Sequence, residues 1–545
     1  MTPTPTARSV AATAGLLSGV TILARIIGFS RWIVFSGALG ATAVGTVYQS
    51  VNTIPNVVFE IAAGGVLAAV VVPLLASRVA DGVRGRDGGS EADEIASALL
   101  TWAVLLLLPL AVLVAVLARP LTTMLLGDGA VPADVDLGVD LLVLFAPQIV
   151  LYGIGIVMAG VLQAHRRFLA AALTPLASSL VVIAVYLAYG RIVPAGTSSG
   201  DLRTSARWLL GLGTTAGVIA LSLPLLLVAA RIGIRLRPRL SFPPGVAARA
   251  RSLAGAGLLA LVAQQISVVV TMVLANSRGG VGALNVQQYA QAVYLLPYAV
   301  LAVPVATSAF PALAESGGRS EAHEAGAATL ARSARAITAL CLLAAAVLIV
   351  VSRPVGAFFT AMDRGRDHGG GEALGGMADA LAWYAPGLVG FGIAALLTRA
   401  LYAHGRPAHA ALAVGAGWLV ATVWPVVLLA PHAGPAATLR TLAVGWTIGM
   451  TLSGLLLVLL VRRSWGAAAL AGLGRTSLAA AAGAAVGTVA LRAVEGRWAT
   501  AGLLAPVLEG IVLAVAVLVV AAGILLVLDP SSAQALRRLR PGGRS

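Results

Sequence analysis

The chain has no lysine among its 545 residues; all 37 of its basic side chains are arginine. Without lysine there is no GxxxxGK[ST] phosphate loop, whose ammonium group reaches the β- and γ-phosphates. The chain is therefore not by itself an ATP-driven pump. Its one cysteine, Cys341, excludes an intramolecular disulfide and any cysteine-cluster metal site. There is no HExxH, and six scattered histidines form no metal constellation. Charge is also scarce, at 11% of residues against about 25% in soluble domains. No catalytic set, cofactor motif or metal site emerges, and enzyme activity has no support.

Apolar residues make up the remainder. Hydrophobic residues account for 59% and the mean hydropathy is +0.95, the composition of a polytopic, all-α membrane protein. The net charge of +16 sits mostly in short loops between apolar segments. That placement fits an anionic membrane surface rather than nucleic acid. The start, MTPTPTARSVAATAG, lacks a signal peptide's pattern, because the apolar run after it is too long and no clear cleavage site follows.

Windows of about 20 apolar residues fall at 13–38, 46–77, 97–118, 138–163, 168–190, 208–230, 252–275, 286–314, 328–352, 378–402, 407–430, 439–461, 474–491 and 502–528. Fourteen transmembrane helices are expected, with 46–77 and 286–314 long enough to tilt or break. Placing both termini in the cytoplasm puts 23 arginines inside and 11 outside, with 3 (Arg25, Arg31 and Arg399) within spans. The bias follows the positive-inside rule and predicts a multi-pass protein of the cytoplasmic membrane, N-in and C-in.

The chain also repeats weakly. VLQAHRRF and ALYAHGRP align Ala164-His165 with Ala403-His404 at an offset of 239, and VVVPLLASR and SAFPALAES align Pro73 with Pro311 at 238. An offset of six helices keeps the topology parallel. It predicts two bundles around a central cavity with a substrate site between them. The expected domains are an N-lobe over 1–230, a C-lobe over 231–461, and two further helices with a basic tail over 462–545.

Arg25 and Arg31 lie inside the first apolar run. A charge near mid-membrane costs at least a few kcal/mol unless it faces protein or water, which marks a functional residue. Guanidinium offers bidentate hydrogen bonds and a permanent charge, suited to phosphate or pyrophosphate. The bland alternative is that Arg31 snorkels or pairs with Glu60. Glu60 reads as counter-ion to the arginines, as a proton or cation coupling site, or as a polar group without a transport role. The adjacent pair Gly64-Gly65 is the candidate hinge, since glycines break membrane helices where they line a cavity. Gln264, Gln265, Asn285, Gln287, Gln288 and Gln291 suit sugar hydroxyls or helix–helix contacts equally. His165 and His404 receive no role.

ARIIGFSRWIVFSGALGA, followed by NTIPN, GG and VVPLLA, resembles the opening of the MurJ/MviN family of lipid II flippases, in the multidrug/oligosaccharidyl-lipid/polysaccharide exporter superfamily. The family's R-x-x-G-x-x-R falls on Arg25, Gly28 and Arg31, and its PN and later G and P on Pro55, Asn56, Gly65 and Pro73. LPYAVLAVPVATSAFPALAES and APGLVGFGIAALLTRALYAHGRP resemble its eighth and tenth helices. The resemblance covers the first ten or eleven helices.

It implies two six-helix lobes related by a parallel repeat around a V-shaped cavity, plus two C-terminal helices forming a groove for a polyprenyl tail. The substrate implied is lipid II, undecaprenyl-pyrophosphate-linked peptidoglycan precursor, moved to the outer leaflet by alternating access. The implied partners are this lipid-linked pyrophosphate glycan, membrane lipids and cell-wall synthesis proteins, with a role in cell shape. The sequence departs from many relatives in lacking arginines at 57–60 and 289–297, and in having Thr46 where an acid is common. The alternatives are export of another polyprenyl-linked glycan or a cation-coupled antiporter of the same superfamily. A membrane scaffold is disfavoured by the lack of a long soluble domain.

Overall fold

The computed structural model describes residues 7–61, 75, 88–127, 129–242, 246–315, 320–492 and 502–530. Among these residues the regular elements are helices, without a strand. Two compact units are present, Met1–Gln265 and Ile266–Ser545, and each is described by itself. Eleven helices are long and apolar enough to cross a membrane, or twelve if one bent pair counts as a single span. The first two helices are not among the eleven, and the more N-terminal of them carries three arginines in 32 residues.

Unit 1 contains α1 (Ala7–Ala38), α2 (Ala43–Glu60), α3 (Gly88–Val116), α4 (Ala118–Leu126), α5 (Pro132–Ala164), α6 (Phe168–Ile192) and α7 (Thr204–Arg231). The boundary with unit 2 falls within α8 (Val246–Gly279). The α1–α2 turn is set by Gly40, whose φ of 69° suits glycine, and by Thr42. The Thr42 hydroxyl accepts from Gly45 N at 3.0 Å and donates to Leu39 O at 2.9 Å, capping α2. Polar residues along α2 then satisfy themselves on the preceding turn. The side chains of Thr46, Ser50, Thr53 and Asn56 each donate to the carbonyl four residues back. That is how an apolar span tolerates them.

The connector after α7 lies as an extended strap along α3. Asp93, Ser97 and Thr101, four apart on one helical stripe, accept the backbone N–H groups of Arg235, Arg237 and Arg239 at 3.0–3.1 Å. Trp102 Nε1 donates to Leu240 O at 2.9 Å, and Arg239 pairs with Glu94 at 2.9 Å. Ile234, Leu236 and Phe242 pack into the core of α3, α5 and α7, which includes Ile95, Val157, Met158 and Leu225. Arg235 and Arg237 remain exposed.

Unit 2 contains α9 (Ala283–Pro297), a π-helical turn at Tyr298–Ala302, α10 (Val303–Glu315), α11 (Ser320–Met362), α12 (Gly371–Gly375), α13 (Met377–Tyr384), α14 (Gly387–Ala403), α15 (Pro407–Leu428), α16 (Gly434–Trp465), a 3-10 turn at Ala467–Leu470, α17 (Leu473–Arg492) and α18 (Leu504–Leu528). The long stretch expected to tilt or break forms one 33-residue span, Ala283–Glu315, containing the π turn. The 378–402 window is instead bent by 50° between Tyr384 and Gly387, where Pro386 falls. At 43 residues, α11 is about 65 Å long, roughly twice the hydrocarbon core. It packs against α13, α14, α17 and α18. Glycines allow the closest helix approaches, with Gly449 facing the backbone oxygen of Gly417 between α16 and α15.

The joints at the AH anchors have matching backbones. His165 N, Arg166 N and Arg167 N donate to Val161 O, Gln163 O and Leu162 O; His404 N, Gly405 N and Arg406 N donate to Ala400 O, Tyr402 O and Leu401 O. Every donor and acceptor pair is offset by 239 positions. The other anchor cannot be compared, because Pro73 lies outside the described residues.

Candidate substrate site

Arg31 lies one turn before Phe35 on α1, the helix that packs along α6. Phe35, one turn further along α1, packs edge-on against Tyr186 of α6 and against Tyr48 of α2, with ring centroids 5.3 and 6.0 Å apart. Tyr48 shares hydrogen bonds with the Tyr186 hydroxyl at 3.0 Å and with Thr214 of α7 at 2.8 Å. All three are buried, so this network belongs to the packed interior of unit 1. A buried phenol hydroxyl needs such partners.

A second polar contact lies further along α2. The Tyr152 hydroxyl of α5 donates to Asn56 Oδ1 of α2 at 3.0 Å, and its ring lies 4.5 Å from Phe59. Arg31 is within electrostatic reach of Tyr48, Tyr152 and Tyr186, and Glu60 within reach of Tyr152. Arg31 is half-buried, with its guanidinium carbon 5.8 Å from the Trp32 ring centroid. Among the described residues no carboxylate pairs with Arg31, Arg25 or Glu60. Arg25 and Glu60 are exposed. On α1, Arg25 and Arg31 are about 9 Å apart along the axis.

Arg31 and Glu60 thus both act electrostatically on Tyr152, while Arg25 lies outside this network. Gly64 and Gly65 lie outside the described residues. Tyr48, Tyr152, Tyr186 and Thr214 were not singled out from sequence; the available signal was a tyrosine inside an apolar span. Of the amides, Gln287 makes a helix contact, donating to the Tyr384 hydroxyl at 3.4 Å between α9 and α13. Arg399 bonds the Ala395 carbonyl of its own helix. Asp140 is paired with Arg207 at 2.7 Å between α5 and α7. No group of three or more metal-ligating side chains occurs among the described residues.

Among the described residues, helices as the regular elements and eleven or twelve of membrane length define a polytopic membrane protein. A solved structure described as "Lipid II flippase MurJ, inward closed conformation" superimposes with TM-score 0.70 at 18% identity, covering 94% of this chain and 98% of that one. An inward-facing multidrug resistance MATE family transporter of the MOP superfamily gives 0.61 at 15% identity, covering 82% and 94%.

The sequence model described as "Lipid II flippase MurJ" matches residues 35–518. The chain belongs to the MurJ family. A probable lipid II flippase MurJ of Rhizobium meliloti (strain 1021) is 30% identical over 347 residues, 62% of this chain and 61% of the relative. The lipid II flippase MurJ of Burkholderia cenocepacia is 27% identical over 453 residues, 82% and 83% of the two chains. The matches to the Rhizobium meliloti and Rhizobium tropici relatives span 61% and 54% of those proteins' own lengths.

Proposed function

We propose that this chain carries lipid II, the undecaprenyl-pyrophosphate-linked peptidoglycan precursor, from the inner to the outer leaflet of the cytoplasmic membrane. Family membership and the names of the relatives support the substrate. The observation that carries the mechanism is Arg31, a half-buried guanidinium with aromatic neighbours and no carboxylate partner among the described residues. An uncompensated charge of this kind is costly unless an anion or water meets it. A pyrophosphate supplies that anion, with Arg25 as an outlying second contact. The Tyr152–Asn56 pair and Glu60 offer polar partners for a glycan.

The transport cycle is alternating access between two lobes, 1–230 and 231–461, with 462–545 as an appended hairpin and tail, fourteen helices and both termini cytoplasmic. The two matching AH joints support a parallel repeat. Gly64-Gly65 is kept as hinge. Because Glu60 pairs with neither arginine, a coupling role suits it better than direct neutralisation. An outside-positive potential favours outward movement of the anion by about 2.3 kcal/mol per charge per 100 mV. Membrane lipids surround the tail, and cell-wall synthesis proteins are the partners proposed.

The test is rescue of cells depleted of their own lipid II flippase, comparing the parent with Arg25→Ala and Arg31→Ala at equal membrane levels. Rescue by the parent and loss in Arg31→Ala is expected. Full rescue by both variants would sink the arginine site. Failure of the folded parent would move the reading to another polyprenyl-linked glycan.

A further inference from the structure

Unit 2 contains a cavity of about 740 Å³ walled by α11, α14, α16, the 3-10 turn and α17. Leu342, Val389, Ile393, Val458 and Leu470 make most of it apolar, and Arg462 stands among its lining residues. Thr451, Leu455, Arg462, Ala467 and Gly474 of its lining are exposed, so the cavity is open to the outside. The lining residues include no carboxylate, amide or aromatic ring.

Two further groups point to a ligand. Thr338 lines the cavity, is only 3% exposed, and its hydroxyl has no hydrogen-bond partner. Buried hydroxyls are nearly always satisfied, so this one marks a missing partner. One turn earlier on the same face of α11 is Arg335, whose Nε is likewise buried without a partner. Arg335 lies so close over Gly472 that a β-carbon there would sit 3.1 Å from its Cδ and 3.2 Å from its Nη1. Gly472 itself has φ of 77°, so the turn requires glycine. Gly472 directly precedes Leu473 and Gly474, both lining residues. Arg335 thus borders the cavity beside Gly472, where the 3-10 turn leads into α17, and Arg462 lines it.

We propose that this cavity binds an anionic glycerophospholipid of the surrounding bilayer, with one acyl chain along the apolar wall and the phosphate at Arg335 and Arg462. Apolar grooves between membrane helices accept chains by burying methylenes, and basic pockets at helix ends bind anionic headgroups. A glycan-bearing headgroup is disfavoured, since the lining offers no amide, acid or ring to read a sugar.

The experiment is native mass spectrometry of the full chain in detergent, titrated with phosphatidylglycerol and, separately, phosphatidylcholine. One phosphatidylglycerol retained in preference to phosphatidylcholine is expected. The Arg335→Gln/Arg462→Gln double variant should lose about tenfold or more of that affinity. Gly474→Phe is the second variant: Gly474 lines the cavity and a β-carbon there meets nothing within 4 Å, so a ring placed there should occlude the cavity and also expel the lipid. Unchanged thermal melting would show each variant folded. Equal retention of the two lipids overturns the proposal. So does parent-like phosphatidylglycerol binding in Gly474→Phe, which would mean headgroups adhere outside the groove, and so does displacement by undecaprenyl phosphate but not by phosphatidylglycerol.

Discussion

Arg166 and Gly405, 239 positions apart, hold the same left-handed backbone, with φ of 59° and 73°. Each follows a histidine at the end of a helix and precedes an arginine that starts the next. Left-handed backbone costs a non-glycine residue about 1–2 kcal/mol, partly offset by the larger unfolded-state entropy of glycine. Arg166→Gly should therefore stabilise by about 0.5–1 kcal/mol, and Gly405→Ala should destabilise by about 1 kcal/mol. Thermal melting in detergent reads both, and a lower melting temperature for Arg166→Gly would contradict the strain.

Arg31 tests the chemistry of the proposed site more finely than truncation to alanine. Arg31→Lys keeps the charge but loses the planar fork, so transport should fall without vanishing, while Arg31→Ala abolishes it. Tyr152→Phe keeps the ring against Phe59 and removes only the bond to Asn56. Its expected cost is about 1 kcal/mol in stability with a partial loss of flipping, measured as lipid II accessibility at the outer leaflet. Parent-like transport by Arg31→Ala would remove the residue from the substrate path.

The hairpin of α17 and α18 closes on a buried polar contact, in which Thr476 donates to Asp529 Oδ2 at 2.6 Å and Arg475 lies 3.9 Å from the other oxygen. Asp529 has no exposed surface. Thr476→Val strips a donor from a buried carboxylate and should cost about 1–3 kcal/mol. Midway along the hairpin, a β-carbon at Gly483 would sit 2.5 Å from the Ala521 carbonyl. Gly483→Leu should force the helices apart at about 1–3 kcal/mol. Limited proteolysis of the C-terminal region would report both; unchanged resistance would argue against the contacts.

His404 gives a pH signature. Its imidazole is held below its ordinary value by burial, then by Arg406 and the facing His323. The two histidines stand 6.2 Å apart, with Trp465 against both. The neutral form is favoured in the fold, so the unfolded chain binds more protons as pH falls through the ordinary histidine range. Stability contributed here is full above about pH 6.5 and declines below it. Melting temperature against pH should show this decline, and His404→Gln should flatten it.

Much of this was legible in the sequence because apolar length is a direct consequence of bilayer thickness. The windows at 407–430 and 502–528 correspond to helices at Pro407–Leu428 and Leu504–Leu528. The break at Pro386 was missed because the whole 378–402 window is apolar and the proline interrupts no hydropathy. Arg25 and Arg31 stood out by their cost in lipid, yet their surroundings did not. Tyr152 reaches Asn56 across 96 positions, and no local pattern encodes a contact of that range. The strap is not legible in the sequence because its arginines carry the charge of a connecting loop, while the intervening Ile234, Leu236 and Phe242 bury themselves.

That strap separates two kinds of tolerance in one short segment. Its attachment to α3 uses the amide hydrogens of residues 235, 237 and 239, which every amino acid except proline provides. The side chains at Arg235 and Arg237 are thus free to drift through almost any alphabet of polar residues, while the register cannot shift by one. An insertion or deletion here would turn Ile234 and Leu236 outward and the arginines onto the core. Natural variants should accordingly differ in composition at these positions but keep their number.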